Sequence, residues 1–229
     1  MNNNHDTQIV ILCGGQGNRF LNIDESIPKC LYPIKEKAFI RYMIEQLQSQ
    51  GFIKFTFLLG DRYELFIDEF KEEFNFKHFN YILEETPLGT GGAILNFFNL
   101  NPQYESILVI NGDTFIKEDF ERVIKRTEQS TILLCNNFKK DSASGAVQIS
   151  AKKILSFNEK SNSGSYLNTG IYLLNRNLFH GSNGQFSLEK NILEPNISSF
   201  QYVVSSNLFY DIGTTEGFER TKLYIESIT

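Results

Sequence analysis

Strand-length apolar runs and stretches of helical period follow one another in strict alternation through the first half of the chain, and no other feature limits its fold so narrowly. Apolar runs at 8–13, 54–59, 80–84 and 107–111 are separated by helix-like stretches at 37–50, 62–73 and 91–98. In 37–50, Phe39, Ile40, Met43, Ile44 and Leu47 share one helical face, and Gly51 stands where a helix would end. Such alternation builds right-handed βαβ units, and hence a mostly parallel sheet covered on both faces. The rhythm changes after a run at 131–136. Segments 145–150, 153–157 and 170–174 read as closely spaced strands, an antiparallel addition, and a last helix is expected over 215–228. With no internal repeat or linker, residues 8–229 are expected to form a single α/β domain behind a disordered polar tail over residues 1–7.

That size, 229 residues of which 41% are apolar, buries a full core without disulfides or metal. The 27 acidic and 22 basic side chains leave a net charge of −5, and Lys and Arg never gather into the basic stripe that nucleic acid demands. Nucleic acid is therefore not an expected partner. The apolar stretches fall far short of the roughly 20 residues that span a bilayer. The opening Met1-Asn2-Asn3-Asn4-His5-Asp6 has neither the basic start nor the apolar block of a signal peptide. A cytoplasmic protein without membrane association is expected. Cys13, Cys30 and Cys135, odd in number and set in or beside apolar segments, fit reduced buried thiols. His5, His78 and His180 lack metal-ligand spacing, and the 21 Phe fall mostly in core positions, as packing rather than as base-stacking platforms.

Ligands of open α/β sheets bind beyond the carboxyl ends of the strands, so the residues directly after each apolar run matter most. The first run passes into Leu12-Cys13-Gly14-Gly15-Gln16-Gly17-Asn18-Arg19. Glycines let backbone N–H groups approach a phosphate, and Arg19 adds a fork of donors. The loop matches neither the dinucleotide fingerprint, since Pro28 and Pro33 interrupt the next stretch of chain, nor the Gly-Lys-Ser/Thr phosphate loop. Lys29, in the Pro-stiffened Ile27-Pro28-Lys29-Cys30-Leu31, suits a cation held over the same phosphates. Asn111-Gly112-Asp113 and Phe209-Tyr210-Asp211 each end an apolar segment in a carboxylate. Two converging carboxylates are what Mg²⁺ needs when water and phosphate oxygens fill its other positions.

These motifs, together with Glu84-Glu85-Thr86-Pro87-Leu88-Gly89-Thr90-Gly91-Gly92-Ala93 and Asp211-Ile212-Gly213-Thr214, stand in the order found in the sugar-1-phosphate nucleotidylyltransferases, which the chain resembles from about Ile9 onward. With Leu167-Asn168-Thr169-Gly170-Ile171-Tyr172 this short form most resembles the bacterial D-glycero-D-manno-heptose 1-phosphate guanylyltransferases. It departs from them at Asn18, where members usually carry Thr, and at Cys30, where Pro or Ala is common. The resemblance implies a Rossmann-like, GT-A-type nucleotidyltransferase domain whose antiparallel strands form a small sugar-binding lobe. It implies that a nucleoside triphosphate and a sugar 1-phosphate combine with release of pyrophosphate, and a homodimer is compatible with it.

The same resemblance carries roles to individual residues. Arg19, Lys29 and Asp113 would be catalytic, and Asp113 with Asp211 would hold Mg²⁺. Leu12, Gly14, Gly15, Gly17, Arg19, Glu84, Pro87, Gly89, Thr90 and Gly112 would bind the nucleotide. Asn111, Gly145, Glu159, Lys160, Asn168 and Gly170 would bind the sugar phosphate. Hydrogen bonding favours GTP, because a carboxylate at Glu84 accepts from both N1–H and N2–H₂ of guanine, whereas thymine and uracil flank one donor with two acceptors. Glu85 is the other candidate reader. Mannose 1-phosphate with GTP, or glucose 1-phosphate with UTP, dTTP or CTP, are alternative pairs. A glycosyltransferase would carry Asp-x-Asp where this chain has Asn111-Gly112-Asp113, and a non-catalytic nucleotide-sugar sensor would have no need of the Arg19, Lys29 and Asp113 set.

Overall fold

A continuous apolar strand must be covered on both faces, and the first strand shows how. In the computed structural model, which describes residues 4–15, 27–75, 78–125, 129–138, 145–158 and 165–228, β1 (Gln8–Leu12) sends Ile9 and Ile11 into one core and Val10 into another. The remaining strands are β2 (Pro33–Ile34), β3 (Lys37–Ala38), β4 (Lys54–Leu59), β5 (Phe79–Leu83), β6 (Ser106–Asn111), β7 (Thr114–Ile116), β8 (Thr131–Cys135), β9 (Ala146–Ser150), β10 (Lys153–Asn158), β11 (Tyr166–Asn175), β12 (Gln201–Ser205) and β13 (Phe209–Asp211). The helices are α1 (Phe39–Ser49), α2 (Tyr63–Glu69), α3 (Gly89–Leu100), α4 (Glu121–Ile124), α5 (Glu194–Asn196) and α6 (Thr215–Ile228).

A nine-stranded sheet runs β10-β9-β11-β6-β1-β4-β5, with β8 beside β11 and β12 beside β8. β1 pairs in parallel with β4 and β6, and β4 with β5, as the alternation requires. β11 is the seam, because it pairs antiparallel with β6, β8 and β9. The antiparallel strands thus extend the main sheet instead of forming a layer of their own. Two-residue alternation divides the sheet between the cores: Phe55, Phe57, Leu108 and Ile110 face α1, α2 and α6, while Leu58, Ile107 and Val109 face α3.

Several elements depart from their expected bounds for local reasons. Residues 37–38 pair with β2 in a hairpin, so α1 begins at Phe39. The helix then ends as expected, at Gly51 with φ +86°. α2 is shorter than 62–73 and gives way to a 3₁₀ turn over Glu73–Asn75. α3 is held at both ends. Gly91 and Gly92 N–H groups donate to Phe186 O, and at the other end Arg176 donates to Phe98 O, Asn101 O and Tyr104 O. Part of the tail expected to be loose is tied down: Asn4–Asp6 forms a 3₁₀ turn, and Asn4 Nδ2 donates to Gln50 O at 2.8 Å. Among the described residues no helix is long and apolar enough to cross a membrane.

Candidate active site

β1 and β6 lie in register, with Leu12 opposite Asn111, so the chain leaves both strands at one edge of the sheet. Gly112 seals the junction. Its N–H donates to Leu12 O at 3.0 Å, and a Cβ there would stand 2.8 Å from Leu12 O and 3.0 Å from Cys13 Sγ. A side chain would force the two turns apart. The result is an open cleft whose walls include Leu12, Gly15, Lys29, Thr90, Asn111, Gly112 and Asp113, together with Cys13 and Cys30. Lys29 begins a 3₁₀ turn closed by Leu31 N–H to Pro28 O at 2.8 Å. Buried Cys30 and Leu31 root that turn in the core and leave Lys29 on the cleft wall. The Cys13 thiol is pushed up in pKa by burial first, then by its contact with the Cys30 thiol, with Asp113 adding to both.

Asp113 and Asp211 stand far apart in sequence and meet through a ribbon of two short strands. β13 pairs antiparallel with β7, Asp211 opposite Thr114, and Ile212 N–H donates to Asp113 O at 3.0 Å. Asp211 is buried, and its Oδ1 accepts from Gly213 N–H at 3.0 Å. Two oxygen-only ligands fit a hard divalent cation such as Mg²⁺, which keeps several waters or phosphate oxygens. Among the described residues no group of three or more His, Cys, Asp or Glu could hold a metal ion, so such a cation would depend on those other oxygens.

Glu84 follows β5 across the sheet from these aspartates. Its Oε2 accepts from Leu88 N–H at 2.9 Å, and its Oε1 lies 3.0 Å from where a Cβ on Gly14 would be. Gly14 thus lets a carboxylate approach the first turn. Burial raises the Glu84 pKa above the usual carboxylate value, and the Leu88 N–H offsets part of that shift. Pro87 is exposed beside it.

On the β11 side, a register shift between Asn168 and Tyr172 makes a bulge, and Gly170 adopts φ +73°. Asn168 holds the bulge: its Oδ1 accepts from Gly170 N–H at 3.1 Å, and its Nδ2 donates to Tyr172 Oη at 2.6 Å. Asn168 N–H donates to Gly145 O at 2.9 Å, which ties β11 to the strand start at Gly145.

The model of the nucleotidyl transferase family matches residues 8–225. The chain belongs to this family. The D-glycero-alpha-D-manno-heptose 1-phosphate guanylyltransferase of Campylobacter jejuni is 33% identical over 219 residues, 92% of this chain and 96% of its own length. The enzyme of the same name from Aneurinibacillus thermoaerophilus is 30% identical over 224 residues, 94% of this chain and 96% of its own. The structure of HddC from Yersinia pseudotuberculosis complexed with GMP-PN has a TM-score of 0.82 to this chain at 27% identity, covering 96% of this chain and 99% of HddC.

For this nucleotidyl transferase, Leu12, Gly15, Lys29, Thr90, Asn111, Gly112 and Asp113 share one cleft. Gly14 and Glu84 adjoin each other, and Asp211 adjoins Asp113 through backbone. Gly17, Arg19, Glu159 and Lys160 lie outside the described residues. Sequence patterns alone do not reveal Phe186 and Glu189. Thr90 Oγ1 donates to Glu189 Oε2 at 2.9 Å and accepts from Leu188 N–H at 2.8 Å. A Cβ on Gly89 would sit 2.6 Å from Phe186 O. The small-residue run 89–92 does signal a close approach, and in the nucleotidyl transferase the group that approaches is a remote segment of the same chain.

Proposed function

We propose that this nucleotidyl transferase is a guanylyltransferase that transfers GMP from GTP to D-glycero-D-manno-heptose 1-phosphate and releases pyrophosphate, supplying an activated sugar for surface polysaccharide. The observation that carries the reading is the meeting of Lys29 and Asp113 in one cleft beside the glycine turn after β1, in a chain that matches relatives of that name over nearly their full length. An oxygen of the sugar phosphate forms a bond to the α-phosphorus of GTP as the bond to the β-phosphate oxygen breaks. The attacking phosphate is already ionised, so no strong base is needed and the protein's task is to position and neutralise charge.

In this reading Lys29 spans the α-phosphate and the incoming phosphate, and Arg19 offsets charge on the departing pyrophosphate. Gly14, Gly15 and Gly17 present backbone N–H groups to the triphosphate. Asp113 and Asp211 would hold Mg²⁺, which when bound supplies charge neutralisation at the phosphates. Glu84 accepts from the guanine edge, and a group whose burial already disfavours its charge gains when two base donors arrive. Glu159 and Lys160 contact the sugar and its phosphate. GTP is drawn from the cytoplasm, and the chain is assigned there.

A pyrophosphate-release screen that crosses GTP, UTP, dTTP, CTP and ATP with a panel of sugar 1-phosphates tests the reading. Turnover confined to GTP with a heptose 1-phosphate is the expected result. Preference for mannose 1-phosphate or for another nucleotide replaces the substrate assignment, and turnover with no pair removes the reaction.

A further inference from the structure

Two thiols on the wall of the cleft have no part in the proposed reaction. Cys13 follows β1, where its N–H donates to Leu58 O at 2.9 Å, and Cys30 lies inside the 3₁₀ turn that Lys29 begins. The fold brings their side chains together, and the Cys13 thiol hydrogen-bonds with the Cys30 thiol. Gly112 stands beside both. A Cβ there would lie 3.0 Å from Cys13 Sγ and 3.5 Å from Cys30 Cβ, so the two side chains converge where glycine leaves room. Cys13 is half-buried, and Cys30 is buried behind it. Backbone hydrogen bonds fix both turns, so the pair is held ready rather than assembled when a ligand arrives.

What such a pair takes follows from its protonation and its number. Burial, the Cys30 contact and the Asp113 carboxylate all raise the Cys13 pKa. The thiolate that alkylating agents and oxidants need is therefore scarce at neutral pH. A hard cation such as Mg²⁺ prefers oxygen ligands. Two thiols are too few for a structural zinc site, and among the described residues no group of three His, Cys, Asp or Glu supplies one. A trivalent arsenical carrying one organic substituent has two positions left to fill, and two neutral thiols fill them.

We propose that Cys13 and Cys30 form a dithiol capture site for monosubstituted trivalent arsenicals, on the cleft wall beside Lys29. In the capture step two S–H bonds and the bonds from arsenic to its oxygen break, and two As–S bonds form. Both protons leave with that oxygen as one water, and arsenic stays trivalent. Cys13 is met first, and Cys30 closes the chelate. The second bond is intramolecular, which strengthens capture about 10²–10⁴-fold over a single thiol. Cys135 lies in β8 with its Sγ 3.2 Å from Asn137 O and Asn207 O, and it does not line the cleft. Cys30 is also a position where this chain departs from the family pattern, so the pair is a feature of this chain.

The test treats the full chain, reduced and freed of reductant, with phenylarsine oxide at pH 7. Intact mass should show one adduct that survives excess mercaptoethanol and is removed by dimercaptopropanol. Trypsin cuts after Arg19, Lys29 and Lys35, which places Cys13 in Met1–Arg19 and Cys30 in Cys30–Lys35. The adduct should be recovered as these two peptides joined through arsenic. Cys13→Ala and Cys30→Ala, each shown to be folded by a thermal melt, should bind the arsenical at least about 10²-fold more weakly and lose it to mercaptoethanol. Cys135→Ala should keep it. The proposal is overturned if the wild-type adduct does not survive the monothiol. It is equally overturned if both single variants retain the adduct, or if the joined peptides include Cys135. Should an alanine variant fail to fold, the tryptic map of wild type decides alone.

Discussion

Lys29 and Asp113 share the cleft wall while their backbones serve ordinary turns, so each side chain can be removed without undoing a packed core. Lys29→Ala and Asp113→Ala should each lower kcat by about 10²-fold or more, the usual scale for a group that stabilises transition-state charge, with little change in melting temperature. Near-normal turnover in either variant removes that residue from the mechanism. Glu84 is the opposite case, a group whose burial weakens the empty fold. A carboxyl with its pKa raised by burial holds its proton more tightly in the folded chain than in the unfolded one. Stability therefore falls as pH rises through the interval between the unfolded and folded pKa values. Glu84→Gln abolishes this ionisation and keeps an acceptor for Leu88 N–H. It should melt higher than wild type at pH 7, and the gain should shrink as pH falls toward about 4, the ordinary carboxylate range, and be absent below it. The same variant should use GTP less well relative to UTP. A gain that does not vary with pH, or an unchanged nucleotide preference, contradicts the role given to Glu84.

Among the elements, α3 shows best how remote segments shape the site. Its opening glycines accept the 184–188 segment, and a Cβ on Gly91 would lie 2.3 Å from the Phe186 ring and 3.0 Å from Leu188 N. Alanine is favoured over glycine in a helix by about 1 kcal/mol, whereas overpacking typically costs about 1–3 kcal/mol. Gly91→Ala should therefore destabilise in a denaturant titration, and adding Phe186→Ala should recover part of the loss. Equal losses in the single and double variants would mean that the ring is not the obstacle. The small residues signal a close approach, but the partner is not legible in the sequence, because Phe186 pairs with Leu88 and Gly91 across nearly a hundred residues and no local pattern marks it. β7 and β13, three residues each, are too short to carry a period, yet their pairing is what unites Asp113 with Asp211. The bulge at Gly170 arises from three neighbouring strands at once. By contrast β1, β4, α1 and α6 are readable because each buries one face or one continuous run, and burial is what hydrophobic periodicity records.

For the whole molecule, the alternation that opens the chain is enough to settle the parallel core, and the rule that ligands lie beyond strand ends settles where to look. It leaves open how the antiparallel strands join, and they join through β11 as one sheet. The net charge of −5 is compatible with binding two phosphorylated substrates, because in the proposed reading the cations involved are few and local, and Lys29 is the one among the described residues that lines the cleft. Bulk charge governs association with long polyanions, while a cleft of this kind acts over a few ångströms. A single transformation tests these scales together. Equimolar GTP, UTP, dTTP, CTP and ATP, offered together with D-glycero-D-manno-heptose 1-phosphate and Mg²⁺, should yield GDP-heptose by mass spectrometry with one equivalent of pyrophosphate. A mixture from which no nucleotide sugar forms, or in which a nucleotide other than GTP is consumed, would contradict the proposed function.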